Sequence, residues 1–540
     1  MTSRTRQTVP SYAIPYMPKS VIALLLPFIL LAQERINSDI DWKLRREATE
    51  NSRIMHTLHM LTDRYGPRLT GSPNHELAAK WASATLTEWG LKNAHLEPWN
   101  FGHPGWSNQR SAGYLLAPVR DALTFKVVAW TPSTRGMLTA PAVQITPPES
   151  PSKEELTAWL ETNRALVNGR MVLVGKAAVV RVNFNPPGKR LDEAEARGRF
   201  DPVNPTRPNF PGRPQPVAGK LTANQAAEMI DAWLLANGGL MRINDAGREF
   251  GQIRAFHNRT FDPAKTVPTV VLRNEDYGRI ERLLADKEEV RLSFDIENRE
   301  YPAGKTSYNV VAEITGSDRA DEIVMLGAHF DSWHSATGAT DNAIGSSMMM
   351  EAARLIQTLG LKPRRTIRLA LWSGEEQGLL GSAAYVKEHF GTFEEPKPDY
   401  GKLVGYLNID SGTGRVRGAS VFGPAGAADV LRSALAPFED LGVVGAASTN
   451  SRATGGTDST SFNAAGLPGI GMGQDPIEYQ SNTWHTNLDT YERIVPDDAI
   501  KSSIVIAAAV WHLANRDAML PRFAKEQMPK PVKPGPPPAR

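Results

Sequence analysis

From about residue 305 the chain alternates two kinds of apolar pattern. Unbroken apolar runs (YNVVAEITG, EIVMLGAHFDS, RTIRLALWSG, KLVGYLNIDSG) read as strands buried on both faces. Between them, NAIGSSMMMEAARLIQTL and QGLLGSAAYVKEHF space their apolar residues as amphipathic helices. The alternation predicts an α/β fold, a mostly parallel central sheet with helices on both faces. Ligands of such sheets gather where the strands end at their C-termini. Upstream, Ile54, Leu58 and Leu61 lie at helical spacing in a segment closed by Gly66-Pro67, and NHELAAKWASATLTEWG repeats the pattern up to Gly90.

The middle of the chain differs. GRMVLVGK reads as a short buried strand, AAEMIDAWLLANGG as a helix with a glycine stop, and PTVVLRNEDYGRIERLLADKEEVRLSFDI as strand, helix, strand. Residues 182–219, dense in Pro, Arg and Asn, read as a long exposed excursion. These shifts divide the chain into a signal segment (1–32), a first part of the main domain (45–118), an inserted domain (119–298), a second part (299–520) and a Pro-rich disordered tail (521–540).

Composition narrows the classes. The 61 Lys and Arg nearly balance the 58 Asp and Glu, so no basic face speaks for nucleic acid. The absence of cysteine excludes disulfides, thiol catalysis and Cys-type zinc sites. Arg4, Arg6 and Lys19 precede the apolar run VIALLLPFILLA, which ends on Ala32, the pattern of an export signal. That run is short for a membrane span and contains Pro27, so secretion is the expectation, without stable membrane association. An uncleaved anchor is the alternative.

Chemistry concentrates at the predicted strand ends. His329 and Asp331 close one strand, Glu375 and Glu376 the next, and Asp410 a third; Asp341 precedes a helix and His485 lies in a turn-like stretch before the last one. Singly, an acid after a strand or before a helix is usually a cap or turn residue. Together, so many carboxylates at one site would repel each other unless a cation were present. Imidazole with carboxylate and no thiolate suits zinc. Two metals roughly 3.5–4 Å apart would share a carboxylate and activate a water, leaving one carboxylate to take its proton. Adjacent glutamates with different aims can divide those roles. No H-E-x-x-H motif follows His75-Glu76, since position 79 is Ala, and no G-x-S-x-G elbow supports a serine hydrolase.

His329-x-Asp331, Asp341 in TDNA, Glu375-Glu376, Asp410 and His485, in that order, resemble the co-catalytic zinc exopeptidases, a family including secreted leucine aminopeptidases and plasma glutamate carboxypeptidase (carboxypeptidase Q). DRYGPRLTGSP (63–73) resembles the family's N-terminal segment, and the insertion resembles its protease-associated domain. The resemblance implies two Zn2+ per chain. Asp341 would bridge them, His329 and Asp410 would complete one site, and Glu376 and His485 the other. Glu375 would be the general base, and Asp331 would orient His329. By position, Asp458 would meet a substrate amine or cap a helix, and Tyr479 would help hold the oxyanion. The implied activity is hydrolysis of terminal peptide bonds in peptides or dipeptides, aminopeptidase first and a carboxypeptidase Q-like dipeptidase second. A glutaminyl cyclase and a catalytically silent receptor-like ectodomain are further alternatives, and the family leaves room for a homodimer.

Overall fold

The computed structural model describes residues 36–184, 188–205, 217–453 and 456–532, so the expected signal segment (1–32) lies outside the described residues. Eight strands form the main sheet, in spatial order Lys92–Asn100, Thr306–Ile314, Arg365–Trp372, Arg319–His329, Leu403–Asn408, Gly469–Gln474, Val416–Phe422 and Gly445–Thr449. The four central strands, from Arg365–Trp372 to Gly469–Gln474, are mutually parallel. The outer pairings are antiparallel except Val416–Phe422 with Gly445–Thr449.

Burial on both faces explains the unbroken apolar runs. In Arg319–His329, Val324, Leu326 and Ala328 enter the cluster under the helices Ile344–Thr358 and Pro496–Asn515. Ile323 and Met325, pointing the other way, join Tyr385, Phe390 and Phe462 on the opposite face. The upstream helix Pro73–Glu88 starts as its sequence suggests, with the Ser72 hydroxyl accepting from His75 N and Pro73 in the first turn.

A second eight-stranded sheet is built from residues 105–301. Its outer strand Gly105–Ala117 pairs along Arg291–Tyr301, so the sheet begins before residue 119, inside the stretch assigned from sequence to the first part of the main domain. Both sheets belong to one body.

Much of the described part of the excursion is exposed, as its composition suggests, but residues 188–205 are anchored to the body. Leu191 and Phe200 are buried, and the Phe200 ring occupies the space left by Gly418 and Gly473 on the main sheet. Asp475, fully buried, accepts from Leu191 N (3.0 Å), Arg417 (3.1 Å), Arg190 (3.2 Å) and Arg415 (3.3 Å). Charge clamps this strap where apolar periodicity gave no sign of it. Residues 521–532 of the Pro-rich segment also lie along the body, with Phe523 against Phe422 and Pro529 O accepting from Arg452.

Candidate metal centre

The four central parallel strands deliver the site. His329 ends one; Glu375 and Glu376 follow Trp372, Asp410 follows Asn408, and the chain beyond Gln474 carries Tyr479 and His485. Asp341 comes from the irregular turn Ala339–Ala343 ahead of the helix Ile344–Thr358.

Two clusters meet at Asp341. Its Oδ1 lies 3.3 Å from His329 Nε2, which is also 3.3 Å from Asp410 Oδ1. Its Oδ2 lies 3.1 Å from His485 Nε2, itself 2.9 Å from Glu376 Oε2. In each trio the ligand atoms fall within 4.8 Å of one another. One carboxylate thus turns one oxygen to each cluster. Among the described residues no Lys or Arg pairs with Asp341 or Asp410, so imidazoles are the neighbours of these acids. The donor set of two imidazoles and three carboxylates, without thiolate, fits two zinc ions.

Glu375 belongs to neither trio and is 6% exposed. Burial holds it well above the usual carboxylate range; His329 opposes that shift, and Asp410, Glu376 and Asp458 reinforce it. A carboxyl raised toward neutrality is suited to proton transfer.

Asp331 does more than orient a ring. His329 Nδ1 faces the main-chain oxygen of Asp331 at 3.1 Å, nearer than its carboxylate at 3.5 Å. That carboxylate accepts from Glu375 N and Glu376 N (3.3 Å each) and from the Thr70 hydroxyl (2.9 Å). Thr70 in turn accepts from Gly374 N at 3.0 Å. The glutamate turn is therefore pinned by Asp331 and Thr70.

Tyr479 is buried and its hydroxyl lies 3.4 Å from Asp410 Oδ1, beside the first trio. Asp458 precedes the helix Ser459–Ala464 but makes no capping bond, so the cap reading fails. It is fully buried, and burial pushes its carboxyl up to about 7.

A loop between strands Met241–Asp245 and Thr269–Leu272 of the second sheet reaches this centre as well. Ile253–Ala255 runs beside the His485 segment: Asn487 N donates to Ile253 O (3.0 Å), Ile253 N to Asn487 Oδ1 (2.7 Å), and Ala255 N to Ser335 Oγ (3.1 Å). Phe256 stands edge-on to His485 at 5.5 Å. The Arg254 guanidinium lies 4.6 Å over Trp484, whose ring is 4.2 Å from His485.

Residues 309–510 match the profile of peptidase family M28. The rat protein carboxypeptidase Q is 26% identical over 473 residues, 87% of each chain. A solved structure, a peptidase M28 precursor from Shewanella amazonensis, superposes with a TM-score of 0.63 at 26% identity, covering 90% of this chain and 99% of that one. The chain is thus similar to the peptidases of family M28. The zinc aminopeptidase of Bacillus subtilis shares the fold, with a TM-score of 0.53 at 19% identity over 89% of this chain and 98% of its own.

Every sequence-selected site residue converges on one centre. Sequence reasoning passed over Thr70, Arg68, Asp489 and Arg254. The first two lie in the quoted DRYGPRLTGSP and Asp489 lies four residues after His485, so their positions were in view although no role was. Arg254 carried no signal.

Proposed function

We propose that this protein is a member of peptidase family M28, a secreted exopeptidase that hydrolyses terminal peptide bonds with two zinc ions held by His329, Asp341, Asp410, Glu376 and His485. The observation that carries this reading is Asp341, which turns one oxygen toward each trio. Bound there, the metals would supply polarisation of the scissile carbonyl and activation of a water. Glu375, outside both trios, takes the water's proton on a carboxylate oxygen and returns it to the leaving amine. Asp331 and Thr70 hold the Glu375-Glu376 turn so that base and ligand keep separate aims. The Tyr479 hydroxyl, 3.4 Å from Asp410 Oδ1, would help hold the developing oxyanion. A glutaminyl cyclase, with one zinc, would not need both trios.

The test is the Glu375→Gln variant. It should retain about two zincs per chain while hydrolysis of an aminoacyl anilide or a dipeptide falls about 10²–10⁴-fold. Unchanged hydrolysis would refute the assignment of the base; full metal without hydrolysis in the wild type would revive the receptor-like reading.

Aminopeptidase is the first reading of the substrate. A dipeptidase reading is favoured by Arg254, a half-buried cation beside His485 with no acidic partner within 4 Å among the described residues. Burial pushes its pKa down to about 10, with Arg248 adding to the effect and Asp341 opposing it. A cation so placed would accept the free carboxylate of a dipeptide. Arg254→Gln should then raise KM for a free dipeptide about tenfold or more and leave its amidated counterpart unchanged. Equal effects on both would return the choice to an aminopeptidase.

A further inference from the structure

Asp341 has to present two oxygens in two directions, yet its backbone belongs to no regular element. Its φ of −131° and ψ of 84° are non-helical, and Gly338 just before the turn has a φ of +67°. Ala343 N donates to Gly338 O (3.0 Å) and Ile344 N to Ala339 O, but helix and sheet leave other amides and carbonyls of the largely buried residues 337–341 to find partners elsewhere.

Two buried charges from distant parts of the chain supply those partners. Arg68, fully buried, donates to Thr337 O and Gly338 O (2.9 Å each), and to Leu61 O (2.6 Å) and Phe330 O (2.5 Å). Asp489, 3% exposed, accepts from Thr340 N at 2.5 Å and Asp341 N at 3.2 Å. Its main-chain oxygen also takes bonds from Ala339 N (3.5 Å) and the Thr337 hydroxyl (3.4 Å).

Neither charge pairs directly with an opposite one within 4 Å among the described residues. Each is compensated by the backbone between them, the cation taking carbonyls and the anion taking amides. An unpaired charge costs several kcal/mol to bury. A stabilising role alone would be filled more cheaply by apolar residues, so the arrangement is better explained by what it holds in place.

We propose that Arg68 and Asp489 are positioning residues that grip the 337–341 loop from its two polar sides and so set Asp341 to bridge both metal sites. The inference rests on the di-zinc reading above. Gly338 serves the same grip: a Cβ there would collide with Ser332 Cβ at 2.3 Å and crowd Arg68 Nη2 at 3.1 Å.

The test is zinc binding by the full chain, stripped with a chelator and titrated with Zn2+ against a competing chelator. Asp489→Asn keeps size and one acceptor but sets amide hydrogens against a backbone N–H. It should weaken zinc binding about 10–100-fold, the usual effect of removing a partner that orients a ligand. Arg68→Lys, which replaces a planar fork by a point donor, should do the same. Because both act on one loop, the double variant should lose little more than either single one. Leu431→Ala, a buried position in the helix Ala425–Leu435, serves as a control of general destabilisation; it should lower thermal stability while leaving zinc affinity within about twofold. If Asp489→Asn and Arg68→Lys behave like that control, they are structural only and the proposal is overturned. If the wild type binds no zinc, the di-zinc reading itself falls, a result distinct from failure of the clamp.

Discussion

Thr70→Val removes one hydroxyl at nearly constant volume and tests how the glutamate turn is held. Thr70 is fully buried, donates to Asp331 Oδ2 at 2.9 Å and accepts from Gly374 N at 3.0 Å. Losing a bond to a charged acceptor costs about 1.5–3 kcal/mol, and an unpartnered buried N–H about 1–3 kcal/mol. The two losses share one relaxation, so a total of about 3–4 kcal/mol is expected. Urea unfolding with and without zinc measures it. The same change loosens the turn carrying Glu375, so kcat should fall about tenfold or more, because small misplacements of reacting groups are costly. Thr70→Ser restores the hydroxyl and should recover most of both. A loss below about 1 kcal/mol with unchanged kcat would refute the claim that this threonine holds the turn.

Acid sensitivity should come in part from His75, which is buried against Phe330 with ring centroids 4.6 Å apart. Burial lowers its pKa from 6.5 to about 4, Asp331 opposing the shift. A depressed folded-state value means its contribution is intact above pH 6.5 and is lost as pH falls toward 4, by up to about 3 kcal/mol. Urea unfolding at pH 7, 5 and 4 should show a flatter profile for His75→Gln, and an identical slope would contradict the account. Asp475→Ala leaves Arg417, 1% exposed in its side chain, without its buried partner. It should cost about 3–5 kcal/mol and admit proteolysis within 188–205; resistance equal to the wild type would show that the strap does not depend on this acid.

The main sheet was legible because strands buried on both faces need apolar residues at every position, and the intervening helices show a different period. The site was legible because the three strands that end in its acids and histidine are neighbours in space, and His485 follows the fourth. The strap was not: Arg190, Leu191 and Phe200 gain their meaning from Asp475, Gly418 and Gly473, which lie more than 200 residues away. For the same reason Arg68 looked like any arginine near a proline, since its partners are main-chain carbonyls, which carry no sequence identity. Asp458 misled in a particular way. Its place before a helix suggested a cap, while the fold turns its carboxyl inward.

The loop 253–255, between strands Met241–Asp245 and Thr269–Leu272 of the second sheet, bonds the His485 segment through Ile253 and Ser335 through Ala255, and so forms part of the wall of the candidate metal centre. The stretch matched by the family profile, 309–510, is therefore not a portable cassette. Excised at those limits it would lose Thr70, Arg68 and the neighbours of His485 together. A chimera that imports another insertion must reproduce the hydrogen bonds at 253–255, or His485 would drift even with both trios unchanged in sequence.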